Sequence, residues 1–388
     1  MGILSNTVTI CHYEVNGPLP EGDLAAWAQE RLAERGFQSI DNSSEEVSIG
    51  WVHLDDSQGS DFAQEGDFRR DNWLAFSLRR DQRRVPAGLF RAHFDLACRA
   101  YHAQNPGLAR IAKAKREELK EAVMGSLLAR TLPAPAVYDM IWDTRAGIVT
   151  FTSISPKVTE ILEGYFKQTF EGLTLTPLYP LRRAEGVIDP ALLLKLKAAN
   201  RASNENLLEQ IRDNLWLGED FLLWLLYRTM NEGSEYAVCR PGPAAYGEVF
   251  VSYLNDRIVL QGESSGGSQK IAVSGPQDSF REVRAALQGG KVVREGVICL
   301  EKGEDFWRFN LKGEIFTFGS FKGPSVRLER EDVADPQRER EAVFYERMHI
   351  IEEGLQLFDS LLAVFLRERL GDSWGDLQQR VDQWLNEG

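Results

Sequence analysis

The chain has 388 residues, a formal net charge of −13, 43% hydrophobic residues and 27% charged residues. That length suits about two or three domains with buried cores, and the composition is that of a globular protein, which excludes a disordered chain. The acidic total excludes general adhesion to nucleic acid or to anionic membrane, yet it hides an asymmetry: basic residues outnumber acidic ones over 69–130, and the reverse holds over 329–388.

Cys11, Cys98, Cys239 and Cys299 are widely separated and form no CxxC pair. With no secretory signal in front, they read as reduced thiols of a cytoplasmic protein. The most apolar stretch, 215–227, is broken by Gly218-Glu219-Asp220 and is too short to span a bilayer, so no membrane partner is expected.

In chain order, residues 7–15 alternate as a strand with Val8 and Ile10 on one face. Residues 23–35 read as a helix burying Leu24, Trp27, Ala28 and Leu32, stopped by Gly36. Strands are expected at 48–54 and 73–78, followed by a tight basic turn, RRDQRR, at 79–84. Residues 86–103 are helical, Asn105-Pro106-Gly107 is a breaker, and 108–132 reads as one further helix. On that helix Arg110, Lys113, Arg116 and Lys120 recur every three or four residues and share one arc. Leu108, Ile111, Leu119, Val123 and Leu127 form an apolar stripe beside it. A hairpin over 138–153, a helix over 157–170 and a strand over 175–181 complete an α+β pattern.

Residues 182–275 are the least legible. A helix is expected over 204–230, a hairpin over 248–261 turning at Asn255-Asp256, and a loop over 264–268. A helix over 279–288 precedes a meander of strands at 292–300, 306–311 and 315–318. The last long helix, 342–370, carries Phe344, Met348, Ile351, Leu355, Phe358, Leu362 and Phe365 at alternating four- and three-residue steps. That spacing suits either a core helix on a sheet, the favoured reading, or a coiled-coil subunit contact.

Motifs for chemistry are missing. The five histidines form no HxxxH or HxH pair and none adjoins a cysteine, so no metal ligands are expected. The loop GESSGGSQK lacks the GK[ST] of a phosphate loop, and there is no GxSxG elbow. A metal-dependent nuclease would place a carboxylate two residues before a lysine on a strand. Here the only such set, Glu118-Leu119-Lys120, lies in a helix where a surface ion pair explains it. No catalytic residue and no cofactor are therefore expected, and the protein reads as a non-enzyme. The basic features suit phosphate contacts to duplex DNA with little sequence discrimination, although Glu117, Glu118 and Glu121 interrupt the arc.

The run KREELKEAVMGSLLAR at 115–130 and MIWDTRAG at 140–147 resemble the bacterial recombination-associated RdgC family. So do IGWV at 49–52, GGKVV at 289–293 and the terminal helix, in the same order. The resemblance implies an RdgC-like α+β fold with a central antiparallel sheet region (1–85 and 133–181), a projecting helical tip (86–132) and an α+β base (182–388) ending in a long helix. It further implies a homodimeric ring around double-stranded DNA, in the cytoplasm at the nucleoid, that obstructs filaments of a RecA-type recombinase. On that picture the DNA contacts are Arg79, Arg80, Arg83, Arg84, Arg110, Lys113, Arg116, Lys120 and Arg130. The dimer contacts are Leu128, Leu132, Phe358, Leu362 and Phe365. Two alternatives stand beside it: an interaction protein of the same fold that has lost DNA binding, and a metal-dependent nuclease.

Overall fold

The computed structural model describes residues 2–43, 45–264, 267–275, 280–327 and 336–386. Helices and antiparallel strands alternate as the sequence pattern anticipates, and the α+β class holds. The chain divides into two compact units: Met1–Asn16, Ile148–Ile161 and Leu175–Gly388 form one, and Gly17–Gly147 with Leu162–Thr174 form the other. This division cuts the chain differently from the central, tip and base regions, because the first strand groups with the C-terminal residues.

In the second unit the strand Trp73–Gln82 is central. Val47–His53 pairs antiparallel along one edge and Ala134–Asp143 along the other. Its neighbours fix the core: Trp51 packs edge-on to Phe76 with ring centres 5.0 Å apart, and Trp142 meets Phe170 at 5.6 Å. The Trp51 indole N–H donates to Thr169 Oγ1 at 2.8 Å, so the buried ring has no orphaned donor. Helix Leu24–Glu34 is capped by Asp23, whose carboxylate accepts from the Ala25 N–H at 2.9 Å. Gly50 is required where the sheet meets the chain after this helix, since a Cβ there would lie 2.2 Å from the Phe37 Cα.

The basic run at 79–84 is not a turn. It continues the central strand to Gln82, because both edges of that strand are hydrogen-bonded over Arg79 to Gln82. Strand alternation then puts Arg79, Asp81 and Arg83 on a buried face. The helical pair is Ala87–Gln104 and Lys113–Leu128. The second helix starts at Lys113, not at 108. Ala112 at its N-cap has no side-chain oxygen to extend the start, and Arg110 lies in the connection.

The first unit is built on an antiparallel sheet with strand order Gly267–Ser274, Val249–Ser264, Val292–Lys302, Asp305–Lys312, Thr317–Lys322, Thr7–Asn16, Ile148–Phe151. Val249–Ser264 is one 16-residue strand where a hairpin turn at Asn255-Asp256 is expected. Asp256 takes a left-handed φ of 60° and the pairing with Val292–Lys302 slips there, so the turn signal marks a bulge. In the loop expected at 264–268, residues 265 and 266 lie outside the described residues, as does Ser279 at the start of the helix expected at 279–288, which is seen as Arg281–Gln288.

The helix expected at 204–230 is split into Leu207–Asp213 and Trp216–Asn231. Between them Asn214 is buried. Its Oδ1 accepts from the Arg201 N–H and the Trp216 Nε1–H, and its Nδ2 donates to Asn200. Gly218 interrupts the apolar stretch because a Cβ there would lie 2.0 Å from the Gly313 carbonyl oxygen. The long helix Pro336–Arg369 spends its apolar seam inside its own unit. Phe358 packs edge-on to Phe318 at 5.0 Å and to Phe221 at 5.7 Å, while Phe365 meets Phe221 at 5.5 Å. Phe358, Leu362 and Phe365 are fully buried there, so they are core residues and not dimer contacts. No helix among the described residues is long and apolar enough to cross a membrane.

His12 is also buried in this unit, edge-on to Phe318 at 5.7 Å, with neither ring nitrogen hydrogen-bonded among the described residues. Burial and the nearby Arg183 cation push its pKa down from 6.5 to about 3. The folded state therefore refuses a proton that the unfolded chain accepts below 6.5. This contribution to stability is intact above 6.5 and is lost at about 1.4 kcal/mol per pH unit as pH falls from there towards the folded value. Urea midpoints measured from neutral pH downward should fall less steeply for His12→Phe than for the parent; parallel profiles would refute the assignment.

Candidate metal centre

Among the described residues, His53, Asp61 and Asp67 bring their ligand atoms within 4.8 Å of one another. His53 Nε2 lies 3.4 Å from Asp61 Oδ1 and 4.0 Å from Asp67 Oδ2. Metal bonds of about 2.0–2.2 Å at a tetrahedral angle separate ligand atoms by about 3.4 Å, so the spacing fits one divalent cation with slight contraction. One imidazole and two carboxylates suit a borderline or hard cation such as Zn²⁺ or Mn²⁺, and three protein ligands leave a coordination position open for water or substrate.

Each ligand is placed by a distinct local device. His53 ends the strand Val47–His53, and its N–H donates to the Gly59 carbonyl at 2.9 Å, which closes the following loop. Its ring sits between Gly59 and Phe62. A Cβ on Gly59 would be 2.5 Å from Nδ1, and the Phe62 ring is edge-on at 4.9 Å. Nε2 is buried without a hydrogen-bond partner among the described residues, the state expected of a nitrogen facing an ion site. Asp67 lies in the short 3₁₀ turn Glu65–Asp67, where its Oδ2 accepts from the Gln64 N–H at 2.8 Å. Asp61 is 76% exposed and is set by its backbone, next to Phe62 at a left-handed φ of 48°. Phe62 is held in that sparsely populated conformation by burial and by the Gln29 side chain, which donates to its carbonyl at 2.9 Å.

The structure also locates the nine cations expected to hold DNA. Arg79 is 5% exposed and donates to both oxygens of Asp81 at 2.8 Å, to the Ser57 carbonyl at 2.8 Å and to Gln58 Oε1 at 2.9 Å. The Asp81 carboxylate raises its pKa still further, so this cation is permanent. Arg83 is buried too, and its guanidinium donates to the carbonyls of Ile40, Asp41, Ser43 and Thr131, with Nε on Glu45. Both side chains are buried and turned to protein acceptors. Both are corrected from phosphate contacts to braces for loops. Arg80 is half-buried and shares Gln82 Oε1 with exposed Arg84. Arg110, Lys113, Arg116, Lys120 and Arg130 are exposed. Glu117 pairs with Lys120 at 3.3 Å, and Arg116 lies 5.6 Å above the Phe94 ring. Leu128 is half-buried, whereas Leu132 is 79% exposed.

The metal ligands escaped the motif search because they are 8 and 6 residues apart and sit on a strand end, a loop and a 3₁₀ turn. The readable signal was a histidine closing a strand ahead of a stretch dense in Asp and Gly, DDSQGSDFAQEGD at 55–67.

Fold and site together define an α+β protein with a candidate centre for a divalent cation. Residues 11–188 match the family model described as "RdgC: Putative exonuclease, RdgC", which supports an RdgC-family assignment and contains all three ligands. No curated protein matches the chain. The expectation of a non-enzyme is thereby contradicted: the matched family is described as a "Putative exonuclease", and the matched segment contains a His/Asp/Asp cluster with the spacing to hold a metal ion.

Titration with Mn²⁺, followed by calorimetry, should show one saturable site in the parent. His53→Ala and Asp67→Asn should each weaken it by more than about 100-fold, beyond what outer-shell changes produce. Gly59→Ala should weaken it as well, by displacing the His53 ring.

Proposed function

We propose that the chain is a divalent-metal-dependent nuclease acting on DNA. The observation that carries this reading is the convergence of His53, Asp61 and Asp67 within a segment matched to a family described as a "Putative exonuclease". A cation bound there supplies charge neutralisation for a phosphodiester and an acidified water. The side chains divide the work. His53 and Asp67 are held on the protein side by the Gly59–Phe62 cleft and the Gln64 N–H. Asp61, largely in solvent, marks the side from which a phosphate arrives. The exposed cations Arg84, Arg110, Lys113, Arg116, Lys120 and Arg130 attract the polyanion through its backbone, without reading sequence.

A second reading concerns assembly. Exposed Leu89, Leu96, Leu108 and Leu132 accompany these cations on and around the helical pair, more apolar surface than a solvated helix pair needs. That favours a homodimer contact there, in a ring that holds duplex DNA and obstructs RecA-type filaments.

Linear duplex DNA incubated with the parent and Mn²⁺ should be degraded, and Asp61→Asn should abolish this while leaving duplex binding intact. Charge reversal at Arg110, Lys113, Arg116 and Lys120 should lower the slope of log affinity against log salt by about 3–4, at roughly 0.9 for each phosphate no longer neutralised. No cleavage by the parent with either Mn²⁺ or Mg²⁺ would refute the nuclease, and an unchanged slope would remove this face from the DNA contact.

A further inference from the structure

Asp61 is the least constrained ligand of the centre: 76% of its side chain faces solvent, and its place is set by the backbone on either side. Downstream, Phe62 is pinned by burial and by Gln29. Upstream, the loop after His53 is pinned at its tip. The Arg79 Nη1 donates to the Ser57 carbonyl at 2.8 Å and to Gln58 Oε1 at 2.9 Å. Within the loop, the Gln58 N–H donates to Asp56 Oδ1 at 2.9 Å and the Gly59 N–H to the Asp56 carbonyl at 3.1 Å. Gly59 then backs the His53 ring and returns its carbonyl to the His53 N–H. One guanidinium thus fixes the loop that both closes on His53 and leads into Asp61.

Arg79 is itself fixed more tightly than a stability role demands. Asp81, 1% exposed, accepts from Nε and Nη2 at 2.8 Å each, and the guanidinium carbon lies 4.2 Å above the Phe37 ring. A fork-on-fork pair of this kind orients the remaining nitrogen in one direction. Burying such a pair adds little net stability over an apolar pair of similar size, so orientation is what it supplies. The Arg79 and Asp81 positions are adjacent on one face of the central strand, both edges of which are paired over these residues, so the brace is anchored to a strand bonded on both sides.

We infer that Arg79, oriented by Asp81 and acting through Ser57 and Gln58, is a positioning residue for the His53–Asp61–Asp67 centre. The inference rests on the reading of that cluster as a metal site. It assigns to Arg79 the role that outer-shell partners play at metal sites, pre-setting ligands before the cation arrives.

The test is Mn²⁺ binding to the full chain, read by calorimetry and by the paramagnetic loss of the His53 ring signals in NMR. Arg79→Gln should weaken Mn²⁺ by about 10- to 100-fold. Gln58→Ala, at an exposed position that leaves the Arg79–Asp81 pair whole, should weaken it by a smaller factor with the thermal midpoint unchanged. Arg79→Lys should not restore affinity, because an ammonium cannot hold Asp81 and the loop together in one plane. If the parent binds Mn²⁺ and both Gln58→Ala and a folded Arg79→Gln bind it equally well, the positioning role is overturned and the metal site stands. Should Arg79→Gln fail to fold, parent-like affinity in Gln58→Ala overturns the role by itself. If the parent binds no Mn²⁺ and its His53 signals persist, the metal site fails and the positioning role with it.

Discussion

Pairing on both edges of one strand governs the unit that carries the centre. Trp73–Gln82 is bonded to Val47–His53 on one side and to Ala134–Asp143 on the other, so its backbone has no option but to run straight through RRDQ. A central strand offers each successive side chain to opposite faces. Arg79, Asp81 and Arg83 are thereby driven inward, where an unpaired guanidinium would be costly. The fold meets that cost with Asp81 and with loop carbonyls, which then become ordered themselves. Charge that looks like a nucleic-acid patch in the sequence is converted into the means of holding loops, one of which links His53 to Asp61 of the candidate metal centre.

The other unit shows the same lesson with apolar residues. The seam of helix Pro336–Arg369 has the spacing of a coiled coil, but spacing states only that one helical face is apolar. The sheet order puts the Thr317–Lys322 strand where Phe318 can meet Phe358, and helix Trp216–Asn231 adds Phe221 against Phe365. Two aromatic partners from different parts of the chain, Phe318 and Phe221, share that one face, and a second subunit has no access to it. Among the expected dimer residues Leu132 is the one left well exposed.

What was legible follows from range. Local signals gave the α+β class, the Asp23-capped helix and the helical pair, because caps, breakers and periodicity act over a few residues. They failed where a tertiary partner overrode them. Asn255-Asp256 reads as a hairpin turn, yet the strand Val292–Lys302 pairs with residues before and after it, so the chain keeps going and the turn is reduced to a bulge. Gly218 reads as a helix interruption, although its role is to admit the Gly313 backbone. The metal ligands were invisible for a related reason. His53 and Asp61 meet because the intervening loop folds back through the His53–Gly59 hydrogen bond, and no fixed spacing encodes that.

The placement of the ligands also bears on how binding and cleavage are related. On the proposed reading, cations exposed on the helical pair would attract phosphates over distances near the Debye length of about 8 Å at physiological salt and lose grip as salt rises. A cation held by the His53–Asp61–Asp67 cluster would act at contact range and through bonds that salt screens far less, since His53 Nε2 is buried and Asp67 is tied to Gln64. On that reading the two features would respond to different variables: ionic strength would govern capture, and cation supply the fate of the captured strand. A single reading as a DNA-holding protein accounts for the first and gives the His53–Asp61–Asp67 cluster no part in it. A metal-dependent nuclease accounts for both, because the same acidic cluster that would repel DNA in the absence of a cation becomes attractive to phosphate once a divalent ion offsets its charge.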